Sequence, residues 1–362
     1  MSAEWAFEAA PTMPAFPSAY PDPLTPNSKL QTCLDRAIAA GPGTSWRTPV
    51  TIVSLNPDGS RPVASFKGNE VHFSASLVKV AAMYAAFELR ATLRDIAAEL
   101  GTSTTKATLL KDAAAYLDPK ILAKAAAIPA LKGITKAHAL PQYTTAFEVV
   151  PVPPSPLVPS PGFTVNFSST FQDHLEKMIA ISVNQSAAQC IHGSGYGYLN
   201  GALASAGFFD PATNNGIWLA GDYIGNYPYF RINSVNDGLV AQAVTTRRLA
   251  QMYTLLHDGT LVGGISSSEM RDLLAKAVAV PEVFINRASG LNFTVTHTKV
   301  GLGPLKPKNG VIDNVYSEAS ILQHTPSGRK FVAVWQNFVS GSDGFDPIGH
   351  VVRDTIDAFL KP

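Results

Sequence analysis

VHFSASLVKVAAMYAAFELR, residues 71–90, decides how the rest of the chain is read. A turn of small residues leads into an Ala-rich apolar segment of high helix propensity. Ser76 and Lys79 stand three residues apart, so on a helix they share a face. A serine hydroxyl is a weak nucleophile at neutral pH and becomes a strong one when a base is held within hydrogen-bond reach. A lysine in apolar surroundings can be that base, because desolvation disfavours its charged form. Leu77, Val78, Val80, Ala81 and Ala82 supply such surroundings. The competing reading is a core helix whose lysine stretches its stem toward water.

The S-x-x-K spacing alone says little, since it recurs at Ser103–Lys106 and Ser327–Lys330. Ser103 follows the helix-stopping Gly101, and Ser327 falls in TPSGRK, a turn signal between two strand-like runs. Only Ser76 opens a long apolar helix.

At 362 residues the chain can bury a sizeable core as two lobes, or as one large domain with an insertion. Its net charge of +1 leaves no electrostatic footprint for nucleic acid or an anionic membrane. With 15% charged residues, substrate recognition has to be local rather than steered by a global field. No apolar run reaches the length of a membrane span. Cys33 and Cys190 lie in no C-x-x-C and there is no H-E-x-x-H, which argues against a metal site or any cofactor. Both cysteines read as buried core, with a disulfide between them left open. The N-terminus has neither a basic n-region nor an apolar h-region and does not read as a signal peptide, so as written the chain reads as cytoplasmic.

Residues 1–26 carry six prolines and read as an extended surface arm. A helix capped at Asn27 or Ser28 follows, stopped by Gly41-Pro42-Gly43. PVTIVSL and RPVASF flank Asn56-Pro57-Asp58-Gly59 and predict a β-hairpin. Residues 93–134 read as helical, and the prolines between Pro151 and Pro161 as an extended loop. A helix is expected over Phe171–Ile181, ending at Ser182-Val183-Asn184, and another from about Gln185. Residues 192–236, rich in Gly, Asn and Tyr, read as a long loop with short ordered pieces. Helices at RRLAQMYTLL and SSEMRDLLAKAV precede three strands, LNFTVTHTKVGLG, YSEASILQ and RKFVAVWQNF, and a closing amphipathic helix. Strands at both ends and helices between them predict an α+β fold. An antiparallel sheet of about five strands is flanked by the terminal helices, with an inserted, mostly α lobe against it. The expected division is an arm at 1–26, an α/β lobe at 27–70 and 287–362, and a helical lobe at 71–286 with an insertion near 93–165.

Three pieces now stand in a telling order: S-x-x-K at Ser76–Lys79, S-x-N at Ser182–Asn184 and K-x-G at Lys299–Gly301. Together with the hairpin before the serine and the strand–turn–strand and helix after K-x-G, they resemble the class A serine β-lactamases and related penicillin-binding proteins. The resemblance covers roughly residues 28–361. S-x-N recurs at Ser234–Asn236 with no helix before it, and K-x-G recurs at Lys308–Gly310 after two prolines.

The resemblance implies a serine hydrolase working through an acyl-enzyme on a small-molecule amide, lactam or ester, in a family usually periplasmic or secreted. By position, Ser76 is the nucleophile, Lys79 its base, Ser182 the proton relay and Lys299 an added positive charge. Asn184 holds Lys79 and the substrate, while Val300, Gly301 and Leu302 form the substrate-binding strand. The N–H groups of Ser76 and Leu302 form the oxyanion hole.

Departures from the pattern matter. Val183 stands where β-lactamases carry aspartate, and Val300 where they carry a carboxylate-binding hydroxyl. No glutamate lies between Glu176 and Glu269, where class A enzymes keep the base for deacylation. Asp210, Asp222 and Asp237 are the acids available; Asp222 is the best-positioned candidate for that base, against a plain reading as a surface-loop carboxylate. Val300 and the tyrosines around 196–229 also fit a carboxylesterase or peptidase acting on an uncharged acyl group. The two altered motif positions fit a binding protein on a retired scaffold. An α/β-hydrolase is disfavoured because no G-x-S-x-G occurs.

Overall fold

The computed structural model describes residues 13–43, 46–101, 104–152, 162–279, 283–306 and 314–362. Six strands form its main sheet: β1 (Thr25–Pro26), β2 (Val50–Leu55), β3 (Pro62–Phe66), β4 (Phe293–Pro304), β5 (Asn314–His324) and β6 (Lys330–Phe338). Their spatial order is β1-β3-β2-β6-β5-β4. The principal helices are α1 (Ser28–Ala40), α2 (Lys79–Leu100), α3 (Leu109–Ala126), α4 (Ser169–Ala180), α5 (Asn184–Ser194), α6 (Tyr196–Ser205), α7 (Thr246–His257), α8 (Gly264–Lys276) and α9 (Asp346–Leu360). No helix among the described residues is long and apolar enough to cross a membrane.

The expected α+β architecture is present. Strands β2–β6 pair antiparallel, with Val332 opposite Val53 and Ala319 opposite both Lys299 and Val334. The sheet has one strand more than expected: two-residue β1 runs parallel to β3, pairing Thr25 with Pro62. A strand that short leaves no alternation in the sequence to find.

Alternation along the other strands divides the core. Ile52, Ala64, Phe331 and Trp335 pack with Leu30 and Leu34 of α1 and Val351 and Val352 of α9. Val53, Val63, Val332 and Val334 face the opposite way, into the core shared with the helices between β3 and β4. Both faces of the sheet are therefore covered, as its β-branched residues on both faces require.

Helix α2 runs through the middle of the helical layer, and every residue from Lys79 to Arg90 is buried. A helix apolar all round belongs in a core. Besides Lys79 it buries two charges, both matched: Glu88 accepts from the Tyr20 hydroxyl at 2.7 Å, and Arg90 pairs with Glu269 at 2.6 Å. Burial pushes the Glu88 carboxyl above the usual range.

That Tyr20 contact docks the described part of the expected surface arm onto the helical layer. The described part of the N-terminal segment is extended but packed, with Ala15 and Leu24 buried and Phe16 stacked on Tyr198 at 5.4 Å. Prolines set the extended backbone; Tyr20 and Phe16 supply the apolar area that docks it.

The long loop expected over 192–236 is corrected in part, because helix α6 occupies its first third. Its glycines look like loop formers and serve close packing instead. A Cβ at Gly197 would stand 2.7 Å from the Ala139 carbonyl, and one at Gly201 2.7 Å from the Phe16 ring. Most of the proline-rich loop lies outside the described residues. Its described flanks form an antiparallel hairpin, Phe147–Val152 with Gly162–Phe167. Ser103 and the Lys308–Gly310 repeat likewise lie outside the described residues. Cys33 and Cys190 are both free and buried.

Candidate active site

The strand pair His72–Phe73 with Val244 and Ala243 delivers the chain to a 3-10 turn, Ala75–Val78, which runs straight into α2 at Lys79. The Ser74 N–H donates to the Gln242 carbonyl at 3.1 Å and pins the turn from one side. Edge strand β4 closes it from the other. An ideal Cβ on Gly301 would lie 2.6 Å from the Ser74 carbonyl oxygen and 2.7 Å from the Leu77 nitrogen. Only glycine lets β4 approach this closely, which is the physical content of the third position of K-x-G.

Lys79 is fully buried, and its Nζ donates to the Ser182 carbonyl at 2.6 Å and to Asn184 Oδ1 at 2.8 Å. Ser182 Oγ stands 3.3 Å away. Ser182 lies in the short link between α4 and α5 with φ 60°, a left-handed conformation costing a non-glycine residue about 1 kcal/mol or more. That backbone presents both its carbonyl and its hydroxyl to the lysine. Among the described residues Lys79 makes no ion pair, and burial pulls its pKa down to about 7.

Lys299 is the second buried amine, on β4. Burial, and then the nearby charge of Lys79, hold its pKa well below the ordinary lysine range. A cleft of about 280 Å³ collects Ser76, half-buried at its edge, with Ser182, Asn184, Lys299, Val300 and Leu302. A larger depression of about 590 Å³ lies between Lys111, Tyr143 and Glu148. It is lined by Lys106 of the recurring S-x-x-K but by none of Ser76, Lys79, Ser182, Asn184 and Lys299, so the smaller cleft is the candidate site.

Asp222 is not among the residues lining this cleft, and the plain reading of it as a surface-loop carboxylate is corrected. It is fully buried, not a surface carboxylate, and it accepts from the backbone N–H groups of Ile224, Gly225, Asn226 and Tyr227 at 2.8–3.3 Å. His192 Nε2 lies 3.2 Å from it, and the His192 ring stacks on Tyr227 at 3.7 Å. With its oxygens so engaged, Asp222 organises a loop.

Tyr223, which the sequence offers only as one of the loop tyrosines that fit an uncharged acyl group, packs on Lys79 instead. Tyr223 donates its hydroxyl to the Ala75 carbonyl at 3.0 Å and lays its ring 4.7 Å from Lys79 Nζ. One tyrosine among several in a loop carries no spacing signal. The backbone does mark it: Ala75 (φ 47°), Ser182 (φ 60°) and Tyr223 (φ 67°) are three of seven non-glycine residues with positive φ among those described. All three border Lys79 or adjoin Ser76, and such strain concentrates at functional sites.

The arrangement therefore offers a half-exposed hydroxyl, an amine one turn away with a pKa near neutrality, and a second amine on the same cleft. No family model matches the chain, and no curated protein does. Solved structures are similar to it over nearly its whole length. A class A β-lactamase from Bacteroides cellulosilyticus DSM 14838 aligns with 92% of this chain and 99% of its own, at 12% identity and a TM-score of 0.51. The TLA-3 extended-spectrum β-lactamase aligns over 92% and 98% at 10% identity and a TM-score of 0.51. PBP-A aligns over 96% and 100% at 17% identity and a TM-score of 0.50. Identities this low speak to architecture, and on that evidence the chain has the β-lactamase-like fold that the class A β-lactamases and PBP-A share.

Proposed function

We propose that the protein is a serine hydrolase that cleaves an amide, lactam or ester through an acyl-enzyme on Ser76. The observation that carries this is Lys79: a buried amine held by Ser182 and Asn184 one helical turn from a cleft-facing serine, with its pKa near 7. In its neutral form the amine takes the Ser76 proton as Oγ adds to the substrate carbonyl. The N–H groups of Ser76 and of Leu302, on an edge strand, stabilise the oxyanion. As the tetrahedral adduct collapses, Lys79 returns the proton through the Ser182 hydroxyl to the leaving group. Lys299 offers amine N–H donors on the same cleft as Ser182, Asn184 orients Lys79 and the substrate, and Gly301 lets the β4 strand of Val300 and Leu302 lie close.

Deacylation repeats these steps with water. No carboxylate lines the cleft among the described residues, and Asp222 is committed to its loop. Lys79 is then the base for both half-reactions, and deacylation is the slower one because water is the less well positioned nucleophile. Stopped-flow mixing with a p-nitrophenyl ester tests this reading. It predicts a burst of about one p-nitrophenol per enzyme, followed by a slow steady state, and loss of both phases in Ser76→Ala. Undiminished hydrolysis by Ser76→Ala rejects it.

A further inference from the structure

The walls of the cleft say what kind of acyl group it accepts. Ile181 and Leu302 are among the few large apolar side chains exposed in the described structure, at 58% and 52%. Both border this cleft, Ile181 from the link between α4 and α5 and Leu302 from β4. Leaving such groups in water forfeits the gain from burying apolar surface, and a bound apolar group recovers it. Val300 and Phe284 continue the apolar lining between them.

The polar groups fit the same reading. Lys299 is the only charged side chain lining the cleft among the described residues; it is 1% exposed and makes no ion pair among them. Position 300 offers two methyl groups and no donor. The neighbouring hydroxyl, Thr298 Oγ1, is turned to Ser320 Oγ at 2.8 Å and to the Glu318 carboxyl at 3.3 Å. The Ser182 carbonyl and Asn184 Oδ1 are taken by Lys79. A carboxylate on the acyl chain, seated against Ile181, Val300 and Leu302, would lose its hydration to side chains that offer no donor.

We propose that the site selects substrates whose acyl part is uncharged and apolar, seated between Ile181 and Leu302, and disfavours those whose acyl chain carries a carboxylate. This rests on the serine-hydrolase reading above. The chemistry is unchanged: the Ser76 Oγ–carbonyl bond forms, the bond to the leaving group breaks, and the proton passes by way of Lys79 to the departing atom. The volume of about 280 Å³ is at the small end of ligand sites, which favours short acyl chains.

The test compares p-nitrophenyl hexanoate with the p-nitrophenyl monoester of adipic acid, of equal chain length, on the full chain. The expected result is a preference for hexanoate in kcat/KM on the order of a hundredfold. In Val300→Thr, nearly equal in size, the gap should narrow about tenfold through faster use of the charged ester. In Leu302→Asn the advantage of hexanoate over acetate should shrink. Equal or better use of the adipic monoester by the wild type overturns the inference, while loss of its hydrolysis in Ser76→Ala leaves the serine mechanism standing. Acylation of Ser76 by neither ester, read by intact mass, overturns both.

Discussion

Lys79 Nζ donates to Asn184 Oδ1 at 2.8 Å, across 105 residues of sequence. One hydrogen bond thus joins the start of the central helix to the start of α5 and makes two sequence motifs into one site. The same amine takes the Ser182 carbonyl at 2.6 Å. A protonated amine has three hydrogens to donate and a neutral one has two. With Ser182 O and Asn184 Oδ1 holding two, losing the third proton frees a lone pair, which is the electronic state a base for Ser76 requires.

The pH dependence of activity follows from that lone pair. Burial brings the Lys79 pKa to about 7, so kcat/KM should rise with pH and level off above an inflection near 7. A pH–rate profile with a neutral ester measures this, and a flat profile from pH 5 to 9 contradicts it.

Stability should carry the same signature with a definite sign. The folded amine titrates near 7 and an unfolded lysine near about 10.4, so between those values the unfolded chain binds a proton that the folded chain lacks. Unfolding free energy then rises with pH across that window and gains nothing from Lys79 below it. Relative to Lys79→Met, the wild type should gain about 1.4 kcal/mol per pH unit above 7. Urea titrations of both proteins at pH 6, 7, 8 and 9 give the difference.

Gly301→Ala tests the close approach of β4 to the serine turn. The added methyl meets backbone atoms of Ser74 and Leu77 at 2.6 and 2.7 Å, and neither can rotate away. Stability should fall by about 1–3 kcal/mol. Activity should fall further, by roughly a hundredfold, because the strand that carries Lys299 and Leu302 shifts. Thermal melts and kcat/KM on the same preparation separate the two effects.

Tyr223 should tune Lys79 from beneath. Its ring excludes water from one side of the amine and also favours the charged form by a cation–π contact. Burial is the first cause of the lowered Lys79 pKa, and the ring contact contributes at most about 2 kcal/mol, so admitting water dominates. Tyr223→Ala should therefore move the kcat/KM inflection upward from 7. Tyr223→Phe keeps the ring, loses the bond to Ala75, and should leave the inflection in place.

Asp222→Asn distinguishes a loop organiser from a base. The amide keeps one acceptor oxygen for the N–H groups of Ile224 to Tyr227 and loses the other, so stability should drop by about 1–3 kcal/mol. Deacylation of Ser76 should change less than tenfold, about 1.4 kcal/mol of barrier. A selective collapse of the steady-state rate with an intact burst would return Asp222 to catalysis.

Much of this was readable in the sequence where the signal is periodic or local. The hairpin around Asp58-Gly59, the alternation in β4–β6 and the all-apolar face of α2 each reflect a repeating pattern. The candidate site was legible as three short motifs because each has a backbone reason: a helix start at Lys79, a link at Ser182 and a glycine at 301. What escaped depends on contacts between distant residues. Phe16 finds Tyr198, Gly197 yields to the Ala139 carbonyl, and Asp222 is wrapped by its own loop. Glycines in α6 suggested a loop because sequence does not show what a helix packs against.

The most direct test is the identity of the acylated residue. After brief incubation with a p-nitrophenyl ester and acid quench, peptide mass mapping should find a single acyl group on Ser76. It should be absent in Ser76→Ala and formed far more slowly in Lys79→Met. An adduct on any other residue, or on Ser76 at the same rate without the lysine, contradicts the account.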